Sequence, residues 1–154
     1  MEKPVSELSL IRDFLWIDDP WLGTSGQVKA EQFSTIAEAG FERVVNLLPD
    51  ESEAYLPGEE KIVTGLGMAY ERIPVLWRSP TPQNFAAFCA ILDRRFGVER
   101  LYVHCAANMR VSAFVYLWRL RRGEGETGAA GDLRDIWVPD GVWAEFIESI
   151  RSAG

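Results

Sequence analysis

The sequence predicts an α/β fold in which a mainly parallel central sheet is flanked by helices. Apolar runs of strand length alternate with segments of helix length, and Gly or Pro stands at each change between them. This alternation is typical of βα units around a parallel sheet. The chain has 154 residues, of which 47% are hydrophobic and 25% charged, so it can enclose a full core. We therefore expect residues 1–154 to form a single domain.

The first half of the chain contains apolar segments with the spacing of strands and others with the spacing of helices. The run RVVNLL is rich in β-branched and aliphatic residues and indicates a buried strand. Four apolar residues share one face of the first helix, which Gly40 ends, and Gly67 ends the second. The predicted strands are 14–18, 43–48 and 69–75, and the predicted helices are 29–39 and 58–66.

The second half adds one strand and three helices. Thr81 is a capping residue with Pro82 at the first helical position, and Asp140 can cap the last helix in the same way. The glycine-rich segment 123–131 is expected to be a mobile surface loop, because glycine is unfavourable in regular elements. The predicted helices are 82–96, 110–121 and a final one from Asp140 through Ile150, and the strand is 101–104.

The charge and hydropathy of the chain argue against several classes of partner and location. A net charge of −7 argues against nucleic acid or an anionic membrane as the main partner. The first residues do not resemble a signal peptide, and no segment approaches the roughly 20 apolar residues of a membrane span. We expect a cytoplasmic protein, and the composition does not predict its oligomeric state.

The two cysteines occupy different contexts. In the cytoplasm, two cysteines are expected to be free thiols rather than a disulfide framework. Cys89 lies in the apolar helical segment FAAFCAIL and is expected to be a small core residue. Cys105 instead ends a predicted strand and precedes a short loop and a helix.

The segment around Cys105 combines a nucleophile with groups that stabilise anions. An ordinary cysteine, with a pKa of about 8.5, is only slightly ionised at neutral pH, so a catalytic thiolate needs stabilisation. Loop amides, the N-terminus of the next helix and His104 can provide it. The guanidinium of Arg110 can bind two oxygens of a phosphate or another oxyanion. We expect the loop amides of Ala106, Ala107, Asn108 and Met109 to bind the same oxyanion.

These residues resemble the signature of the cysteine-dependent tyrosine and dual-specificity phosphatases, in which His-Cys is followed by a loop, an Arg and a hydroxyl residue. More closely, the chain resembles a bacterial phosphatase-like family that is also found fused to metallo-β-lactamase-type sulfur enzymes. The matching segments are TSGQ, AGFERVVNLLPDE, GMAYERIPV, HCAANMRVSAF and IWVPDGVW. The resemblance implies a phosphatase-like fold with a cysteine anion loop between strand and helix. It also implies that Cys105 is the nucleophile, Arg110 the oxyanion clamp and His104 the residue that tunes the thiol.

The loop itself departs from the phosphatase pattern. Only four residues separate Cys105 from Arg110, and Val111 intervenes before Ser112, the hydroxyl residue that would contact the substrate. A loop of this length is typical of rhodanese-like sulfurtransferases, in which the cysteine carries a persulfide. Three hypotheses follow: a phosphatase acting through a phosphocysteine intermediate, a sulfurtransferase, and a non-catalytic module that binds phosphate.

The expected general acid is also missing. In the phosphatases an Asp lies on the loop that precedes the nucleophile strand by one helix, but the corresponding segment here, LWRSPTPQ, has no carboxylate. Its absence predicts faster hydrolysis of aryl than of alkyl esters, because aryl leaving groups depend less on protonation. The segment WVPDGVW, which contains Asp140, resembles the family's acid loop in sequence. It follows the nucleophile in the chain instead of preceding it, so we interpret Asp140 as a helix cap.

The remaining site candidates come from loops at the same edge of the sheet. The carboxyl ends of parallel strands line the ligand crevice of open α/β folds. Trp77 and Arg78 follow one strand, where Trp77 could form a wall for a flat substrate and Arg78 could add positive charge. The loop after another strand contains Pro49, Asp50 and Glu51. We expect no metal or other cofactor, since one His and two distant Cys make a poor ligand set.

Overall fold

The central sheet has five strands in the computed structural model, which describes residues 7–153. In chain order the strands are β1 (Leu15–Asp18), β2 (Leu22–Ser25), β3 (Arg43–Asn46), β4 (Ala69–Arg72) and β5 (Leu101–His104). Their spatial order is β1-β2-β5-β3-β4. Only the β1–β2 pair is antiparallel, and the three other pairs are parallel. The predicted α/β class with a mainly parallel sheet is confirmed.

Six α-helices lie wholly within the described residues. They are α1 (Phe33–Glu38), α2 (Glu59–Gly65), α3 (Pro82–Arg95), α4 (Met109–Arg121), α5 (Glu126–Ile136) and α6 (Gly141–Ala153). A 3₁₀ turn at Ala30–Gln32 precedes α1, so the helix predicted over 29–39 is divided in two. None of these helices is long and apolar enough to cross a membrane.

The inner strands β3 and β5 bury side chains on both faces, because successive side chains of a strand point to opposite faces of the sheet. Val44 and Tyr102 pack in a cluster with residues of α1 and α2. Val45 and Val103, one position further along, pack in the other cluster with α3, α4, α5 and α6. The carboxyl ends of β3 and β5 therefore lie between two layers of helices.

Several predicted boundaries agree closely with the structure. Thr81 accepts a hydrogen bond from the Asn84 amide at 3.0 Å and caps α3 as predicted. Strand β5 has the predicted bounds. Strands β3 and β4 are shorter than predicted, and β4 ends at Arg72, two residues before Pro74, whose missing N–H cannot continue a ladder.

The loop predicted over 123–131 is wrong, because α5 begins at Glu126 and includes Gly128 and Gly131. Glycine costs about 1 kcal/mol relative to alanine inside a helix. Tertiary contacts outweigh this cost here, since Ala129, Ala130 and Leu133 are buried in the core. The guanidinium of Arg119 on α4 also bonds the Glu124 and Asp132 carboxylates on either side of the α5 start.

Strand β2 was not predicted, although it lies between β1 and β5 and all four of its residues are buried. Its sequence, LGTS, lacks the aliphatic run that marks a buried strand. Thr24 satisfies its hydroxyl by donating to the Leu15 carbonyl at 2.7 Å. This strand matters because it holds one side of the Cys105 loop.

Candidate active site

Cys105 is the first residue after β5, and four residues later the chain enters α4. Its side chain is fully buried. Its amide donates to the Ser25 carbonyl at 3.3 Å, which extends the pairing of β5 with β2 past the strand end. The loop that follows therefore starts from a fixed point in the middle of the sheet.

Asn108 turns the chain into α4. It adopts a left-handed conformation with φ of 64°, which asparagine tolerates better than most residues. Its Nδ2 donates to the Asp13 carbonyl at 2.9 Å and to Thr24 Oγ1 at 3.0 Å. The side chain of Asn108 therefore fixes the loop to β2 through its Nδ2 group.

The loop amides are available to bind an anion. Within residues 7–153, the N–H groups of 106–109 donate to no protein acceptor, and α4 begins with the last of these residues. A helix start leaves such N–H groups unpaired and carries a partial positive charge. These N–H groups lie within the cradle predicted for residues 106–110, and their binding of an oxyanion stays a prediction.

Gly26 allows β2 to approach this loop. A Cβ atom added there would lie 2.5 Å from the Ala106 carbonyl oxygen and 3.1 Å from Ala107 Cα. The Gln27 amide donates to the same Ala106 carbonyl at 2.9 Å. The loop position therefore depends on a residue without a side chain at 26.

We expect Gly26→Ala to weaken binding of inorganic phosphate. Displacing the loop would cost one or two charge-assisted hydrogen bonds, about 1.5–3 kcal/mol, or roughly 10- to 100-fold in Kd. Isothermal titration calorimetry would measure the change. Gly65→Ala is the matched control, because a Cβ there meets nothing within 4 Å. Equal Kd values for the two variants would contradict this role of Gly26.

Arg110 is held in place by the scaffold. Its Nε donates to the Val75 carbonyl at 2.8 Å, and its guanidinium lies 5.2 Å from the centre of the Trp77 ring. Burial lowers the pKa of Arg110, while the charge and hydrogen bond of the Cys105 side chain act in the opposite direction. The guanidinium thus links the buried thiol to the surface.

A cleft of about 340 Å³ opens on the outer side of Arg110. It is lined by Pro49, Glu51, Ser52, Leu76, Trp77, Arg78, Ser79 and Arg110. Trp77 and Arg78 therefore share this cleft with Arg110, whereas Cys105 and Ser112 are not among its lining residues. Arg110 therefore lines the cleft and also interacts with the Cys105 side chain.

Three tryptophans support the cleft wall. Trp77 lies 5.5 Å from Trp137 and 5.4 Å from Trp143 between ring centres, and the Trp143 indole donates to the Trp77 carbonyl. The Trp137 indole donates to the Ser112 hydroxyl and to the Met109 carbonyl, both at 3.1 Å. The Ser112 hydroxyl is thus committed to Trp137 and Met109, and it positions the start of α4.

His104 belongs to a buried hydrogen-bond network beneath the loop. Its Nε2 lies 2.6 Å from Glu59 Oε2, and its Nδ1 lies 3.4 Å from the Cys105 carbonyl oxygen. Gln27 and Tyr70 also donate to the Glu59 carboxylate, at 3.0 and 3.2 Å. Burial raises the pKa of Glu59, but the hydrogen bonds and charge of its partners outweigh burial and lower it overall. An ionised Glu59 therefore accepts from Nε2 and fixes the His104 ring beside the Cys105 backbone.

We expect Glu59→Gln to lower the free energy of unfolding at pH 7 by about 1.5–3 kcal/mol, the usual contribution of hydrogen bonds to a charged group. Because the folded-state pKa is lowered, this stabilisation is present above the unfolded value of about 4.3 and is lost as pH falls through the folded value. Urea unfolding of both proteins at several pH values would measure it. The exposed neighbour Glu60→Gln is the control. A difference between Glu59→Gln and the parent that grew in acid would contradict the proposed ionisation.

The fold has a solved counterpart in the putative phosphatase (DUF442) from Shewanella putrefaciens CN-32. Its structure superimposes with a TM-score of 0.85 at 32% sequence identity, and the match covers 97% of each chain. The chain belongs to the DUF442 family. The catalytic domain of the PP-IP phosphatase SIW14 from S. cerevisiae shares the fold at 15% identity, with a TM-score of 0.74 over 90% of this chain and 85% of that one.

The DUF442 chain also matches part of a longer curated protein. It is 32% identical over 92 residues to the "Beta-lactamase hydrolase-like protein" of Xylella fastidiosa, a match that covers 58% of this chain but only 21% of the relative. No family model matches the sequence. Within residues 7–153, no three His, Cys, Asp or Glu side chains are grouped to hold a metal ion.

Proposed function

We propose that this DUF442 protein is a cysteine-dependent phosphatase that hydrolyses a phosphomonoester through a phosphocysteine intermediate on Cys105. The observation that carries the proposal is the convergence of unpaired loop amides, the Arg110 guanidinium and the Cys105 thiol at one strand-to-helix junction. Such a site stabilises both the thiolate and the phosphoryl oxygens.

In the first step the Cys105 Sγ attacks phosphorus, an S–P bond forms and the ester P–O bond breaks. The amides of 106–110 and Arg110 bind the equatorial oxygens, where negative charge is held in the transition state. In the second step water attacks phosphorus, the S–P bond breaks and inorganic phosphate leaves.

The outer cleft suits an aromatic or other flat leaving group. Trp77 is 39% exposed and lines the cleft, and Arg78 adds a positive charge beside it. His104 acts from below by fixing the Cys105 backbone. We further propose that residues 1–154 form one phosphatase-like domain that functions in a bacterial cytoplasm, where both free, buried thiols stay reduced.

Trapping the intermediate tests this function. Rapid acid quench during turnover of 4-nitrophenyl phosphate should leave a phosphoryl group on the Cys105 peptide, detected by mass spectrometry.

The four-residue spacing between Cys105 and Arg110 favours sulfur transfer as the second candidate function. An extra sulfur on the same peptide after exposure to thiosulfate, without ester hydrolysis, would replace the phosphatase proposal with that one.

A further inference from the structure

We propose that Glu51 is the general acid of the phosphatase reaction. This inference rests on the proposed function and adds the residue that protonates the leaving oxygen. The expected acid loop, residues 76–82, contains no carboxylate. Glu51 instead lies on the turn that follows β3 and lines the same cleft as Trp77, Arg78 and Arg110.

Glu51 is the one acidic residue among the described residues that line the cleft with Arg110, Trp77 and Arg78. The phosphoryl group is expected at Arg110, so the leaving oxygen points outward into this cleft. A carboxyl on the cleft wall can reach that oxygen, whereas Asp140, on the segment before α6, is not a lining residue.

The turn that carries Glu51 is anchored by its neighbours. The Arg72 guanidinium bonds the Leu48 carbonyl and the Asp50 carboxylate, and it lies 4.6 Å from the Tyr55 ring centre. The Ser52 amide also donates to the Pro49 carbonyl at 3.2 Å. The backbone on both sides of Glu51 is therefore held, while its exposed side chain remains in the cleft.

Neighbouring carboxylates already have partners. Asp50 pairs with Arg72 at 2.6 Å, Glu71 pairs with Arg43 at 2.6 Å, and Glu59 is buried against His104. Within residues 7–153, the Glu51 carboxylate has no hydrogen bond or ion pair. It is free to exchange a proton with a ligand.

An ionised carboxylate beside an oxyanion site would repel the substrate. A bound phosphate dianion therefore favours the protonated acid, because two like charges in one cleft disfavour ionisation. The Glu51 proton then goes to the leaving oxygen as the P–O bond breaks. In the second step the carboxylate takes a proton from the attacking water, which restores the acid.

The test compares two esters with the same ring, 4-nitrophenyl phosphate and phenyl phosphate, in the parent, Glu51→Gln and Glu53→Gln. Glu53 is an exposed glutamate two residues along the same segment and outside the cleft lining, so it is the matched control. In Glu51→Gln we expect kcat/KM for phenyl phosphate to fall by about 10²-fold or more, because its leaving group needs a proton. The loss on 4-nitrophenyl phosphate should be at least about tenfold smaller. The falling basic limb of the parent pH profile should also disappear.

Equal losses on both esters, or a basic limb that persists in Glu51→Gln, would overturn the assignment of Glu51 while leaving the phosphatase function in place. A parent protein that hydrolyses neither ester would overturn both. The Glu53→Gln variant should match the parent on both esters. If Glu53→Gln reproduced the Glu51→Gln effect, the loss would come from the loop charge and the general acid role would be wrong.

Discussion

Cys105→Ser is expected to lower kcat for 4-nitrophenyl phosphate by roughly 10⁴-fold or more, the scale on which a catalytic nucleophile acts. A serine hydroxyl is a much weaker nucleophile than a thiolate unless a general base activates it. The substitution changes one buried atom in a fully buried site, so the loop should keep its shape. Steady-state assays at saturating substrate would measure the loss.

Measuring phosphate binding by Cys105→Ser distinguishes a loss of the chemical step from a loss of ligand binding. Cys105→Ser should still bind inorganic phosphate, because the loop amides and Arg110 remain. Cys89→Ala is the control: Cys89 lies on α3 and is buried in the core, and burial raises the pKa of its thiol. The control should keep the parent kcat per folded molecule. Substantial ester turnover by Cys105→Ser would show that another group attacks phosphorus.

The parts of the site that are contiguous in sequence could be predicted. The strand 101–104, the loop and the helix after it follow from an apolar run, a His-Cys pair and an Arg within ten residues. Each of these features depends on local backbone preferences and on the chemistry of single side chains. The placement of Trp77 beside Arg110 also follows from a general property, that parallel strands end at one edge of the sheet.

The parts that depend on distant partners could not be predicted. An acidic residue at a helix start, such as Glu59, normally indicates only a favourable interaction with the helix dipole. Its contact with His104 joins residues 45 positions apart. Trp137 supports the loop through indole hydrogen bonds, and nothing in its own segment signals that contact.

Strand β2 and helix α5 were not predicted from the sequence, and the physical reason is the same for both. Both have weak local signals, since LGTS is short of aliphatic residues and α5 contains two glycines. The sheet edge at β5 and the apolar surface of α4 supply the partners that stabilise them. The propensities of a few neighbouring residues measure only the local contribution to the stability of an element. Tertiary contacts determine whether these two elements form.

Arg110→Lys is expected to lower kcat by about 10²- to 10³-fold, the effect of removing one oxyanion donor, and to weaken phosphate binding as well. A lysine has no Nε–H to donate to the Val75 carbonyl and no planar fork for two phosphoryl oxygens. It also replaces the flat group that lies on the Trp77 ring. Charge is conserved, so a purely electrostatic role would leave both quantities close to the parent values.

Arg78→Lys is the matched control, because Arg78 is exposed on the same cleft and outside the loop. Its effect should be at most a few-fold, as for an exposed charge that is screened by solvent. Kinetics on 4-nitrophenyl phosphate and calorimetry with inorganic phosphate would compare the two variants. If Arg110→Lys bound phosphate as tightly as the parent and kept its kcat, the two-pronged contact would be wrong and Arg110 would act as a point charge.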